Sequence, residues 1–281
     1  MSLHPSERRH LPEEDQSASS ESSADIGRRR PRLRQIIADE IRRDGPMLFS
    51  RYMELCLYHP ELGYYSRSSE QFGKAGDFYT SSDVHAVFGR LLARQFEEMW
   101  RTLESPERID VIELGPGRGL FASDVLDWSA RQFPDFARAL RYQLVEQSSN
   151  FRARLRERLS THLAHGKAAI FETLETATSA AGRHLIIFGN EFFDALPVEI
   201  VDHRGSVRVA ENDGKFNEQF VPPSPGELQF LDAYSVHPES GERVEAPLAS
   251  LAWMERIAAT FTGNQGFAVL IDYGYTREQQ L

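Results

Sequence analysis

The chain has 281 residues, 41% of them hydrophobic, which suffices for one large domain or a domain with an appended subdomain. Its 42 acidic against 32 basic residues give a net charge of -10, which argues against the clustered Lys and Arg of a nucleic-acid binder. A single cysteine, Cys56, excludes an intramolecular disulfide and a Cys-based metal site, and no HExxH spacing occurs, so no metal is expected. No run reaches the roughly 18 apolar residues of a membrane helix and no apolar leader follows Met1, so the expectation is a cytoplasmic protein without membrane insertion.

Residues 1–31 are rich in Ser, Glu and Arg. They cannot bury enough surface to offset their ordering entropy, and read as a disordered tail. The Arg28-Arg29-Arg30 run reads as a solvated boundary, with contact to an anionic partner as the alternative. Leu33, Ile36, Ile37 and Ile41 then share a helical face that begins near Arg32 and stops at Gly45-Pro46. A short helix with Phe49, Tyr52, Met53 and Cys56 ends at His59-Pro60. Glu61-Leu62-Gly63-Tyr64-Tyr65 is a turn into an extended segment, and 73–83 is a polar loop with embedded aromatics. The clearest helix follows. Val84, Val87, Phe88, Leu91, Leu92, Phe96, Met99 and Trp100 keep the 3.6-residue period, with Ser81, Ser82 or Asp83 as the cap.

From residue 109 apolar runs at 111–114, 142–145, 168–171, 185–188 and 267–271 alternate with helical patterns. Phe121, Val125 and Trp128 share one helical face, and Leu251, Met254, Ala258 and Phe261 another. Short apolar strands with helical crossovers imply an α/β fold built on a parallel sheet covered on both faces. Runs 198–202, 206–211 and 215–221 alternate instead, and Asp213-Gly214 is a hairpin signal. A small antiparallel insertion at about 198–247 is therefore expected between the fourth and fifth core strands, with Pro222-Pro223-Ser224-Pro225-Gly226 as a loop.

The first of these strands runs into Gly115-Pro116-Gly117-Arg118-Gly119 ahead of a helix. There, on an α/β sheet, a nucleotide-type cofactor meets main-chain amides. A dinucleotide turn reads Gly-x-Gly-x-x-Gly, whereas here the third glycine falls one residue early and Glu113 stands two residues before the first. An acidic neighbour is awkward for pyrophosphate and suits a cationic, phosphate-free ligand. Glu113, Gly115, Gly117 and Gly119 are thus assigned to S-adenosylmethionine in preference to a nicotinamide, with a turn serving packing alone as the plain alternative. Glu146 ends the second strand and is placed on the ribose hydroxyls, a surface glutamate being the alternative. Glu172 and Leu174, after the third strand, are placed on the adenine. Asn190, Glu191 and Asp194 follow the fourth strand beside Phe192 and Phe193. They would receive a guanidinium or amine, with a ring against the cation, and orient it for attack on a sulfonium methyl. A helix start capped by Asp194 is the alternative. Asp77 and Thr80 are assigned to the cofactor from a loop that, with Tyr79, would close over the site.

These motifs together resemble the MidA family of S-adenosylmethionine-dependent methyltransferases, which includes mitochondrial complex I assembly factors. The resemblance rests on Gly63-Tyr64-Tyr65, Gly76-Asp77-Phe78-Tyr79-Thr80-Ser81, Phe88-Gly89 and Glu113-Leu114-Gly115-Pro116-Gly117-Arg118-Gly119. It continues through Val145-Glu146, Asn190-Glu191-Phe192-Phe193-Asp194-Ala195-Leu196-Pro197 and Ile271-Asp272-Tyr273-Gly274, from about residue 33 to the C-terminus. It implies a Rossmann-like class I methyltransferase fold with a helical N-terminal part at 32–104, carrying an active-site loop, and a core at 105–281. For mitochondrial members it implies arginine methylation on a complex I subunit. Ser81-Ser82-Asp83 stands where the family has Ser-Pro-Glu. Family members also continue past the Asp272-Tyr273-Gly274 strand, so a C-terminally truncated chain is expected. The leading expectation is methyl transfer to arginine of a protein substrate such as a respiratory complex I subunit. A non-catalytic S-adenosylmethionine-binding assembly factor and a nicotinamide oxidoreductase are the alternatives.

Overall fold

The structure, a computed structural model, describes residues 23–66 and 86–274. The expectations for the tail before Ser23 and for the loop at 73–83, including its caps Ser81, Ser82 and Asp83, lie outside the described residues.

Helix α1 (Ser23–Asp44) buries Ile37 and Ile41, one turn apart, and ends where Gly45 takes φ +89°. It starts ahead of Arg32 and contains Pro31, because the apolar period marks only the stretch of helix that is buried. Strand β1 (Met47–Leu48) leads into α2 (Phe49–Tyr58), and a single 3-10 turn follows at Tyr64–Ser66. Helix α3 (Val87–Thr102) turns Ala93, Phe96 and Trp100 inward, while Val87 and Leu91, on the flank of the apolar stripe, are exposed.

The core then alternates as expected. Its elements are β2 (Ile109–Leu114), α4 (Leu120–Gln132), α5 (Pro134–Ala139), β3 (Leu140–Val145), α6 (Ser149–Arg158) and α7 (Ser160–Ala164), followed by β4 (Ala168–Phe171), α8 (Leu174–Ala180) and β5 (His184–Asn190). Three antiparallel strands come next, β6 (Glu199–Asp202), β7 (Gly205–Asn212) and β8 (Lys215–Val221). The turn between β7 and β8 has positive φ at both Asp213 and Gly214, as a two-residue hairpin of right-handed twist needs. The segment read as a closing loop becomes helix α9 (Pro225–Tyr234): Ser224 and Glu227 form a capping box and Pro225 opens the first turn. Strand β9 (Arg243–Ala246), α10 (Leu248–Thr260) and β10 (Gln265–Ile271) complete the described chain. Helix α10 buries Trp253 and Ile257, whereas Met254, assigned to its inner face from the sequence, is exposed. The Trp253 ring packs edge-on to Phe192, and that contact sets the helix rotation.

Two sheets result. In one, β10-β5-β2-β3-β4 lie side by side and all parallel, which in order of appearance of the core strands is 5-4-1-2-3. Alternate residues of β2 face opposite ways. Ile109 and Val111 join Phe96, Phe121, Val125, Phe136 and Leu155 on one face, and Ile112 and Leu114 join Leu174, Trp253 and Ile257 on the other. In the second sheet β7 is flanked by β8 on one edge and by β6 and β1 on the other, with β9 beyond β6, all antiparallel. Helices α1 and α2 cover it through Ile37, Ile41, Leu55 and Val209, a third core separate from the first two.

Candidate functional site

Strand order reverses between β2 and β5, so the loops leaving their carboxyl ends diverge and leave a crevice. A cavity of about 530 Å³ occupies it.

Its floor is the glycine turn. Gly115, Gly117 and Gly119 have φ of +62°, +52° and +72°, where any other L-residue would be strained. A Cβ at Gly115 would lie 3.1 Å from the Phe192 ring, and one at Gly119 would lie 2.7 Å from Leu155 of α6. At Gly117 it would meet nothing within 4 Å. Gly117 thus faces the open cavity, Gly115 lies beneath the Phe192 ring, and Gly119 lets the start of α4 approach α6.

Glu113 stands at the end of β2, 5% exposed, and its Oε2 has no hydrogen-bond partner among the described residues. Burial pushes its carboxyl up to about 8. Glu146 leaves β3 and turns back, its Oε1 accepting from the Ser148 amide at 2.7 Å. Burial outweighs that bond and pushes Glu146 up to about 7. Ser148 in turn caps α6 by accepting from the Phe151 amide.

Across the cavity, Asn190 ends β5 with its Oδ1 buried and without a hydrogen-bond partner among the described residues. No helix starts after it, so the reading of Asp194 as a helix cap does not hold. The chain turns instead at Glu191, whose φ of +50° is left-handed. Burial, then the charges of Asp272 and Glu191, push Asp194 up to about 6. The remaining wall comes from the N-terminal part. Glu54 and Tyr58 of α2, with Pro60 and Tyr65, line the cavity. Tyr58 and Tyr65 stack with ring centroids 5.2 Å apart, and the Tyr58 hydroxyl donates to the Ala195 carbonyl at 2.5 Å. Burial, then the nearby Asp194 carboxylate, push the Tyr65 phenol up to about 12.

Of the residues singled out from sequence, Glu113, Gly115, Gly117, Glu146, Asn190, Glu191 and Asp194 all line this cavity. Gly119 sits behind it. Glu172 is mostly exposed and pairs with Arg152 at 3.5 Å, and Leu174 is buried in the core at the start of α8, so neither lines the cavity. Asp77, Tyr79 and Thr80 lie outside the described residues. Tyr58, Glu54 and Trp253 line the cavity without having been singled out for the site. Tyr58 closes the short helix that ends at His59-Pro60, the nearest thing to a signal. Among the described residues no group of three His, Cys, Asp or Glu could hold a metal ion, and no helix is long and apolar enough to cross a membrane.

Residues 91–281 match the family model of S-adenosyl-L-methionine-dependent methyltransferases. The chain is 28% identical to the protein arginine methyltransferase NDUFAF7 homolog, mitochondrial, of Drosophila melanogaster, over 95% of this chain and 65% of that protein. It is 25% identical to the Homo sapiens protein arginine methyltransferase NDUFAF7, mitochondrial, over 87% of this chain and 59% of that one. A Burkholderia thailandensis protein solved with S-adenosyl-homocysteine superposes with a TM-score of 0.74 at 26% identity, over 92% of this chain and 66% of that chain. The chain therefore spans less than two thirds of the length of these relatives. Their mitochondrial names overturn the expectation of a cytoplasmic location. That expectation rested on seeing no apolar run after Met1, whereas mitochondrial targeting segments are amphipathic and Arg-rich rather than apolar.

Proposed function

This chain belongs to the S-adenosyl-L-methionine-dependent methyltransferase family that its residues 91–281 match, and on that premise we propose that it methylates a protein side chain, arginine foremost. One observation carries the reading: a single cavity at the strand-order switch joins a glycine floor to two carboxylate groups on opposite sides. The residues fit the cofactor. Gly117 leaves its cradle open, and the orphaned Glu113 Oε2 and Asn190 Oδ1 are buried acceptors that a cationic ligand would satisfy. The bound cofactor would supply a methyl group activated on a sulfonium. Glu113 would favour its positive charge, and Glu146 would accept its ribose hydroxyls.

On the opposite side Glu191 and Asp194 would hold a guanidinium by charge-assisted hydrogen bonds, with the Tyr58 and Tyr65 rings beside it. With its carboxyl at about 6, Asp194 is ionised at neutral pH and close enough to neutrality to take up the proton that the methylated nitrogen releases. Positioning of nucleophile and methyl supplies most of the rate. Helix α2 and the segment after it, through Tyr58 and Tyr65, serve as the acceptor side, and the loops at the carboxyl edge of the parallel sheet as the cofactor side. The names of the relatives support a protein acceptor, and the family resemblance makes a respiratory complex I subunit the first to try.

The test is calorimetry with S-adenosylhomocysteine and NADH, followed by radiolabelled methyl transfer to purified respiratory complex I subunits. Tight binding of the former alone is expected, with transfer reduced ~100-fold in Glu191→Ala at nearly unchanged cofactor affinity. Binding of NADH in its place would sink the reading. S-adenosylhomocysteine binding without transfer would leave a cofactor-holding assembly factor.

A further inference from the structure

We propose that Asp272 is the positioning residue of the acceptor site, its carboxylate fixing the turn that carries Glu191 and Asp194 into the cavity. The role rests on the methyl-transfer reading of that cavity.

Strands β5 and β10 run parallel and in register up to Asn190 beside Ile271. Beyond that pair the chain after β5 bends without entering a helix, so its amides need acceptors from outside any ladder. The end of β10 provides them. The Glu191 amide donates to the Ile271 carbonyl at 2.8 Å. The Phe193 and Asp194 amides donate to Oδ2 of Asp272 at 2.8 and 3.3 Å. Oδ1 of the same carboxylate accepts from the Tyr273 amide at 2.8 Å. A carboxylate among converging amides is the arrangement in which backbone dipoles hold an anion best.

The turn requires such a hold for two reasons. Glu191 is held at φ +50°, a conformation that costs about 1 kcal/mol or more and persists only where its surroundings over-determine it. Glu191 and Asp194 also repel one another, and left loose would swing apart into solvent. Tyr58 secures the far end of the turn through the Ala195 carbonyl. Asp272 secures the near end and is not itself among the residues lining the cavity, so it acts through its neighbours. It adds a second effect. The groups facing Asp194 are Glu191 on its own turn, Tyr58 from α2, Tyr65 after it, and Asp272 and Tyr273 from the end of β10. After burial, Asp272 is the largest influence raising the Asp194 carboxyl.

The experiment compares Asp272→Asn and Asp272→Ala with the full chain, using S-adenosylhomocysteine calorimetry, carbon-13 carboxyl NMR of Asp194, and methyl transfer to whichever subunit the unaltered chain methylates. Asparagine keeps an oxygen for the turn amides and removes the charge. The expectation is unchanged cofactor affinity, an Asp194 titration about one unit lower, and an acid limb of kcat/KM lowered by the same amount. Alanine removes the acceptor too, so kcat/KM for the protein acceptor should fall ~100-fold, again at unchanged cofactor affinity. Unmoved Asp194 titration in both variants overturns the proposal. So does a loss of cofactor affinity and thermal stability in step with activity, which is what a purely structural residue would give. If the unaltered chain binds S-adenosylhomocysteine and methylates nothing, the methyl-transfer reading fails. The NMR titration then still decides whether Asp272 governs Asp194.

Discussion

Glu113 sits almost wholly out of water with one carboxylate oxygen unpartnered among the described residues, and its carboxyl is raised from 4.5 to about 8. A carboxyl raised on folding stabilises the native state, relative to its ionised form, only while protonated. The cost is absent below about 4.5, grows as pH climbs to about 8 and is constant above. Glu113→Gln should therefore raise stability by on the order of 4 kcal/mol at pH 8 and by less than about 0.5 kcal/mol at pH 4.5, in urea unfolding at both pH values. An equal gain at both would show that Glu113 is not buried as a titrating group. That Glu113, Gly115 and Gly117 stand together at one cavity was legible because strand, acid and glycines are contiguous in sequence. Tyr58 and Asp272 were not, because they meet the site from opposite sides, one from α2 and one from the end of β10.

At the level of elements, the three glycines of one turn separate into different tasks. Gly119→Ala should cost roughly 2 kcal/mol, because its backbone is left-handed and its Cβ would press on Leu155 of α6. Gly117→Ala should cost only the backbone share, about 1 kcal/mol, and should instead weaken S-adenosylhomocysteine binding by filling the cradle. Urea unfolding and calorimetry on the pair check the contrast, and the reverse order of effects would undo the assignment. Helix α10 and the turn after β5 show where pattern alone misleads. Met254 has the right spacing for an inner face, yet Trp253 takes the inside because Phe192 offers it an edge-on partner. The Asn190-to-Pro197 run resembles a capped helix start, but Asp272 satisfies its amides first, and no helix begins. The capping box Ser224–Glu227 was present in the sequence and hidden only by the prolines around it.

On the scale of the molecule, the described residues form two sheets with three cores, and the cavity lies at the carboxyl edge of the parallel sheet, with Glu54 and Tyr58 of α2 on its wall. Two cores sandwich the parallel sheet that carries the glycine turn. The third joins α1 and α2 to an insertion some 150 residues later, through strand β1 pairing with Arg208 and Val209. Leu55→Ala opens a hole in that third core alone and should cost about 2–4 kcal/mol of local stability, as truncation of a buried leucine does. It should lower acceptor methylation through Tyr58, one turn further along α2, with S-adenosylhomocysteine affinity kept within about threefold. Parallel loss of both would mean that the cofactor side depends on the N-terminal helices.

The sequence by itself determined the alternation of strand and helix, the parallel sheet, the hairpin at Asp213-Gly214 and the glycine turn with its acidic neighbour. Each is written in local periodicity or in the backbone freedom of particular residues, which act over a few positions. Only the tertiary structure decided that the N-terminal helices share a core with the insertion. The same holds for the turn at Glu191 held by Asp272, and for Leu174, which goes to the core rather than the cavity wall. Those outcomes depend on burial and on pairing between segments far apart in the chain, and no local spacing encodes them.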